Sequence, residues 1–249
     1  VAKGAAHILS LQHVGRHNAE PARSRDRLIR GGGYKNQATV AIFPSRGDLH
    51  PKVVASWMNL LTPMNQKFLR LWPLGMEIGE AYSQTVEQVL ADPELAGWKY
   101  LLTIEADNIV PPDGLIRLLE SIEGGVDGKR YDAMGSLYWT KGEGGQPMIY
   151  GDPTVMPRNF LPQLPLPDTV QPCNGLGMGF TLFRLSMFKD PAIPRPLFKT
   201  VSSYAPGQGI RVYTQDLHFF ENALGLGYRF ACDTRVKVGH YDAREDIVW

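Results

Sequence analysis

Cysteine is scarce in this chain, with Cys173 and Cys232 the two in 249 residues. Two thiols make no disulfide framework, and they lack the spacing of zinc ligands. Left reduced in apolar surroundings, they fit a reducing compartment. Long hydrophobic runs are missing as well. None approaches the ~20 residues that span a bilayer, and the N-terminus lacks the apolar stretch of a secretory signal. These absences predict a soluble, cytoplasmic protein. Charge of one sign is also lacking: the formal net charge is +1, so nothing pulls the whole chain toward nucleic acid or an anionic membrane. Because the chain opens on Val1, loss or removal of an upstream segment is an expectation.

A hydrophobic fraction of 43% with 20% charged residues is ordinary for a globular protein. The length suits one sizeable α/β domain. Charge is uneven at the start. Residues 1–37 hold Lys3, Arg16, Arg23, Arg25, Arg27, Arg30 and Lys35 against Glu20 and Asp26. This basic arm is either a solvated, partly irregular leader or a contact for a phosphate-bearing partner. A single domain is expected over 38–249.

Ala38-Thr-Val-Ala-Ile-Phe43 is a short β-branched run stopped at Pro44, which reads as a buried strand entering a loop. A helix is predicted over about 50–61 with Pro51 in its first turn, and a strand over 67–72. Over 76–90, Ile78, Ala81, Tyr82, Val86, Val89 and Leu90 recur at the spacing of one buried helical face. A strand over 99–104 precedes a helix entered through Pro111 and Pro112. Strands alternating with helices predict a mostly parallel sheet covered on both faces. The second half is mixed: strands over 131–139 and 178–184, a helix over 213–224 closed by Gly225 and Gly227, then short strands over 228–232 and 235–238. Between them, residues 150–172 carry six prolines and no periodicity, predicting a long irregular loop. No internal repeat is present.

Glu105 and Asp107 follow directly on the strand ending at Ile104. In open α/β sheets ligands bind beyond the carboxyl ends of the strands. Two carboxylates one residue apart there are costly unless a cation or a sugar hydroxyl occupies them. Oxygen donors with few protein ligands suit Mg²⁺ or Mn²⁺ held jointly with a diphosphate. The plainer alternative is that they start a polar loop. Asp216 opens an apolar-faced helix, where a carboxylate also serves as a dipole-stabilised cap. His240 lies near the end, either as a ligand or as a hydrogen-bonded structural residue. Gly175, Gly177 and Gly179 form G-x-G-x-G rather than a dinucleotide fingerprint, which points to close backbone approach to a ligand or another strand. Trp72, Tyr138 and Trp139 either stack on sugar or base rings or pack the core.

In order and spacing these pieces resemble the GT-A glycosyltransferases, family 2-like enzymes in particular, from about Thr39 to Tyr241. Val40-Ala-Ile-Phe-Pro-Ser-Arg46 is similar to the first strand and its nucleotide-binding loop. Leu101-Leu-Thr-Ile-Glu-Ala-Asp-Asn-Ile-Val-Pro-Pro-Asp113 resembles the strand bearing the D-x-D motif. Gly175-Leu-Gly-Met-Gly-Phe-Thr-Leu-Phe-Arg184 resembles the glycine-marked strand beside the donor sugar. The segment from Thr214 to Tyr228 resembles the helix opened by the E-D motif, and Val236-Lys-Val-Gly-His240 the closing strand whose histidine joins the metal site. Two departures stand out. The first acid of D-x-D is Glu105, and the E-D motif is Gln215-Asp216.

The resemblance implies a GT-A fold and a divalent cation, Mn²⁺ or Mg²⁺, held by Asp107 and His240 against the diphosphate of a nucleotide-sugar. Pro44, Arg46, Glu105, Asp107 and Gly177 would bind the donor, with Arg46 reaching a phosphate. Asp216 would be the general base that activates an acceptor hydroxyl for inverting displacement. The acceptor is left open among a glycan, a protein, a small molecule and a modified nucleic acid. Two rival readings are a nucleotidyltransferase and a non-catalytic nucleotide-sugar or glycan-binding domain. Pro44-Ser-Arg-Gly47 is short for the glycine-rich loop of the former. The missing first acid of the E-D motif favours the latter.

Overall fold

The computed structural model describes residues 37–64, 66–205 and 209–249. The basic arm therefore lies outside the described residues, except Gln37, which is fully buried and donates its N–H to Gln66 Oε1 at 2.8 Å.

The first half of the chain supplies β1 (Thr39–Ile42), α1 (Pro51–Met58), β2 (Phe68–Leu71), α2 (Ile78–Ala91), β3 (Tyr100–Ile104), β4 (Asn108–Ile109), α3 (Gly114–Ile122) and β5 (Ala133–Leu137). The second half supplies β6 (Ile149–Tyr150), β7 (Val170–Cys173), β8 (Gly175–Leu176), β9 (Phe180–Arg184), β10 (Val201–Ala205) and β11 (Gly209–Tyr213). It ends with α4 (Gln215–Gly225), β12 (Phe230–Lys237), β13 (Gly239–Asp242) and β14 (Ile247–Val248).

Seven strands form the central sheet in the order β2-β1-β3-β9-β5-β12-β7. β9 runs antiparallel to both β3 and β5, and β7 runs antiparallel to β12; the other pairings are parallel. Five of the seven strands therefore point the same way, and their carboxyl ends share one rim. Strand side chains alternate between faces. Ala41 and Phe43 join one core with Trp57 of α1 and Leu119 of α3, while Val40 and Ile42 join another with Tyr82 of α2 and Phe219 of α4. The result is an α/β domain with two helices on each face of a mixed sheet. Each fully buried large apolar side chain stabilises this sandwich by roughly 1.5–3 kcal/mol.

Helix entrances follow local chemistry. His50 caps α1, accepting from the Lys52 N–H at 3.3 Å, with Pro51 in the first turn where its missing donor costs nothing. Glu77 caps α2 by accepting from the Glu80 N–H at 2.9 Å.

The chain departs from the sequence expectation in three places. The two short strands expected over 228–232 and 235–238 are one continuous β12, with a register shift against β5 between Asp233 and Lys237. The polar Asp233-Thr-Arg235 looks like a break, but Asp233 is wholly buried and satisfied by Ser121 Oγ at 2.6 Å and by Arg235 Nη2 at 2.7 Å. An antiparallel hairpin of β10 and β11 precedes α4 where no strand was expected. The proline-rich stretch is largely irregular as expected, yet its last residues form β7 against β12. Both cysteines are free and buried. Among the described residues, no helix is long and apolar enough to cross a membrane.

Candidate functional site

A cleft of about 570 Å³ lies along the common rim, lined by Pro44, Ser45, Arg46, Asp48 and His50 after β1 and Met76 and Ile78 after β2. Glu105, Ala106 and Asp107 after β3 line it too, as do Lys141 after β5, Gln215 of α4, and Tyr241 and Ala243 beyond β12. Every strand of the majority direction contributes its exit, as expected for a ligand crevice in an open sheet.

Two strand exits fold back on each other here. After β3 the chain makes a turn, with the Asn108 N–H donating to the Glu105 carbonyl at 3.1 Å, and runs into β4. β4 pairs antiparallel with β13, setting His240 opposite Asn108. The pairing brings Asp107 and His240 together, with Nε2 of His240 3.2 Å from Oδ2 of Asp107. The ring is also held from behind, since His240 Nδ1 lies 2.8 Å from the carbonyl oxygen of Trp139. A carbonyl can only accept, so Nδ1 carries a hydrogen and Nε2 is the nitrogen turned toward the carboxylate. Nε2 can meet that carboxylate either as a hydrogen-bond donor or through a cation bound by both.

The pair fits a divalent cation in two respects. A histidine oriented through its second nitrogen by a backbone carbonyl is the usual arrangement of a ligating imidazole. Adjacent ligands on an octahedral ion with bonds of about 2.1 Å lie about 3.0 Å apart, close to the 3.2 Å observed. Among the described residues, no group of three or more His, Cys, Asp or Glu side chains is placed to hold a metal.

Electrostatics divide the three carboxylates. Burial pushes the Asp107 carboxyl up, but hydrogen bonds from His240 and Lys141 outweigh it and hold it down at about 2. The Lys141 ammonium lies 2.6 Å from Oδ2, the oxygen that His240 also faces. Glu105 behaves oppositely. Burial, then the charges of Asp107 and Asp216, push its carboxyl up to about 8. Near neutrality it is protonated more often than not. Burial likewise raises Asp216 above the usual carboxylate range, against hydrogen bonds from Thr214 and the Leu217 N–H.

The residues expected to serve one site are thus placed unequally. Pro44, Arg46, Glu105 and Asp107 line the cleft, and His240 touches Asp107. Asp216 is 5% exposed and its neighbour Gln215, not Asp216 itself, lines the cleft. Gly177 is buried beneath, where an added Cβ would meet Tyr138 Oη at 2.1 Å. Its close approach is to a tyrosine ring. The hydroxyl of that ring accepts from the Gly179 N–H at 2.8 Å. Trp72 stacks on Phe43, ring centroids 4.5 Å apart, and remains 43% exposed.

Lys141, Asp48, His50 and Tyr241 are cleft residues that the sequence did not announce. Tyr241 Oη lies 3.1 Å from His50 Nε2 and donates to Asp246 Oδ1 at 2.6 Å, tying the chain end to the start of α1. Lys141 sits in a glycine-rich turn with no motif around it. Only the adjacency of β5 and β12 to β3 through β9 brings it to Asp107.

No family model matches the chain in sequence, and no curated protein does. Among 53 matching chains of solved structures is the crystal structure of A197 from STIV, at 15% identity and a TM-score of 0.56. The match covers 85% of this chain and 92% of that one. At that identity the likeness concerns the fold: nearly the whole of A197 shares this α/β arrangement.

Proposed function

We propose that this chain is a GT-A-type glycosyltransferase that moves a sugar from a nucleoside-diphosphate sugar to an acceptor hydroxyl, with inversion and with a divalent cation, Mn²⁺ or Mg²⁺. The observation that carries the reading is the Asp107–His240 pair, 3.2 Å apart at the carboxyl rim of the sheet and beside an open cleft able to take a nucleotide. The likeness to A197 supports the architecture and is silent on the chemistry.

Asp107 and His240 would hold the cation, which offsets the charge that gathers on the departing diphosphate. Arg46 and Pro44, on the exit of β1, receive the nucleoside end. The guanidinium of Arg46 is suited to a phosphate oxygen. Glu105 would hydrogen-bond a ribose or sugar hydroxyl, a group able both to donate to it and to accept from it. Asp216, raised by burial, accepts the proton of the acceptor hydroxyl as that oxygen attacks. Positioned proton transfer contributes typically ~10²–10⁴-fold, and aligning donor with acceptor contributes further.

One observation favours a second reading, that of a nucleotide-sugar-binding domain without turnover. Asp216 is nearly covered and its Oδ1 already accepts from the Leu217 N–H at 2.9 Å. The deciding experiment incubates a panel of nucleotide-sugars with Mn²⁺ or Mg²⁺ and identifies the products. Released nucleoside diphosphate supports sugar transfer or donor hydrolysis, and pyrophosphate points instead to a nucleotidyltransferase. Binding without any release leaves the non-catalytic reading standing. Absence of binding to every donor sinks the proposal.

A further inference from the structure

Lys141 stands on a short turn built to present it. The Thr140 N–H donates to the Gln146 carbonyl at 2.9 Å, and the Gln146 N–H returns a bond to Thr140 Oγ1 at 2.9 Å. The Gly145 N–H closes the tip on the Gly142 carbonyl at 3.1 Å. Gly142 and Gly144 have positive φ of 97° and 74°, and a Cβ on either would meet nothing within 4 Å. The turn is tied at its base and open at its tip, and its one cationic side chain reaches back to the rim. There the ammonium lies 2.6 Å from Asp107 Oδ2, with 31% of the side chain still exposed.

That oxygen is the one His240 Nε2 faces. A divalent ion bridging Asp107 and His240 would sit against the same carboxylate that the ammonium pairs with. Two positive charges a few ångströms apart repel strongly in a partly buried site, so they cannot share it. An ammonium expelled from Asp107 still lies within the cleft it lines, on a flexible four-carbon stem. A diphosphate brought in with the cation then supplies an anion for it within the same cleft, in competition with the Asp242 carboxylate.

We propose that Lys141 is a displaceable counter-ion, its ammonium pairing with Asp107 until a divalent ion binds there and then passing to the diphosphate. The inference rests on the cation reading of Asp107 and His240 given above. It predicts that one lysine opposes the metal and favours the diphosphate, so its removal shifts the two affinities in opposite directions.

The test titrates Mn²⁺ into the whole chain and reads free Mn²⁺ by electron paramagnetic resonance, for wild type, Lys141→Met, Lys52→Met and Asp107→Asn. Removing a competing, partly exposed ion pair is expected to tighten Mn²⁺ binding by about five-fold in Lys141→Met. Asp107→Asn abolishes binding. Lys52, whose ammonium is held by Asp246 and lies 5.4 Å from the centre of the Tyr241 ring, serves as a control for the general field, and Lys52→Met leaves Mn²⁺ affinity unchanged. With Mn²⁺ saturating, inorganic pyrophosphate is expected to bind Lys141→Met about 10- to 150-fold more weakly than wild type, the worth of one charge-assisted contact.

Equal or weaker Mn²⁺ binding by Lys141→Met, or equal tightening by Lys52→Met, overturns the inference and leaves the cation reading intact. Mn²⁺ binding by none of the proteins sinks both. Pyrophosphate binding that is absent, or the same in wild type and Lys141→Met, overturns the transfer to the diphosphate.

Discussion

The backbone N–H of Tyr241 donates to the carbonyl of Asp107 at 2.7 Å. The bond sews the exit of β3 to β13 next to the His240–Asn108 pair. Backbone pairing, rather than any side-chain attraction, therefore sets how near Asp107 and His240 must be. A site defined this way is pre-organised before a ligand arrives, and removing either side chain should spare the fold.

Asp107→Asn and His240→Ala are accordingly expected to fold and to lose the cation. For wild type, Mn²⁺ with a nucleoside diphosphate at about 100 times the dissociation constant should stabilise by ~2.7 kcal/mol. For a domain of this size that is a rise in Tm of roughly 5–10 °C. Thermal unfolding should show almost none of this rise in either variant. Full stabilisation of Asp107→Asn would count against the proposed site.

Glu105 predicts a pH signature. Its folded value of about 8 lies above the 4.5 of the free side chain, so the folded state holds the extra proton between those limits. Its contribution to stability is whole below about pH 4.5 and is lost as pH rises through 8. Glu105→Gln removes that decline. Denaturant unfolding from pH 5 to 9 should show the variant gaining on wild type by at most about 1.4 kcal/mol per pH unit. Parallel curves would mean that Glu105 is ionised throughout.

For Asp216 the expected effect is on turnover alone. Asp216→Asn keeps the shape and the Leu217 hydrogen bond while removing the basic oxygen. Transfer should slow by ~10²–10⁴-fold, with donor affinity within about two-fold of wild type by calorimetry, since uniform binding is untouched. A variant as fast as wild type would assign Asp216 to capping the helix.

Gly177→Ala probes packing instead. The added methyl collides with the Tyr138 hydroxyl at 2.1 Å and with Met148 Cε at 2.9 Å. Overpacking of this kind costs typically ~1–3 kcal/mol, which urea unfolding would register. Gly177→Ala combined with Tyr138→Phe should recover part of the loss. A double variant no more stable than the single one would place the strain elsewhere.

Residue pattern alone determined the local elements that depend on short-range physics. The apolar run at β1, the 3.6-residue stripe of α2, the proline entrances of α1 and α3, and the acids after β3 were all legible. Each reflects a periodicity or backbone constraint that acts over a few neighbours. Pattern also misled where burial overrode it. Asp233 looks like a strand end until Ser121 and Arg235 are seen to satisfy it, and the β10–β11 hairpin left too weak an alternation to read. Tertiary structure decided which strand exits share a rim. Only the sheet order sets Lys141 against Asp107, withdraws Asp216 behind Gln215, and turns Gly177 toward Tyr138 rather than the cleft. Those relationships join positions far apart in the chain, and no local propensity encodes a distance between side chains that meet only after the sheet has formed.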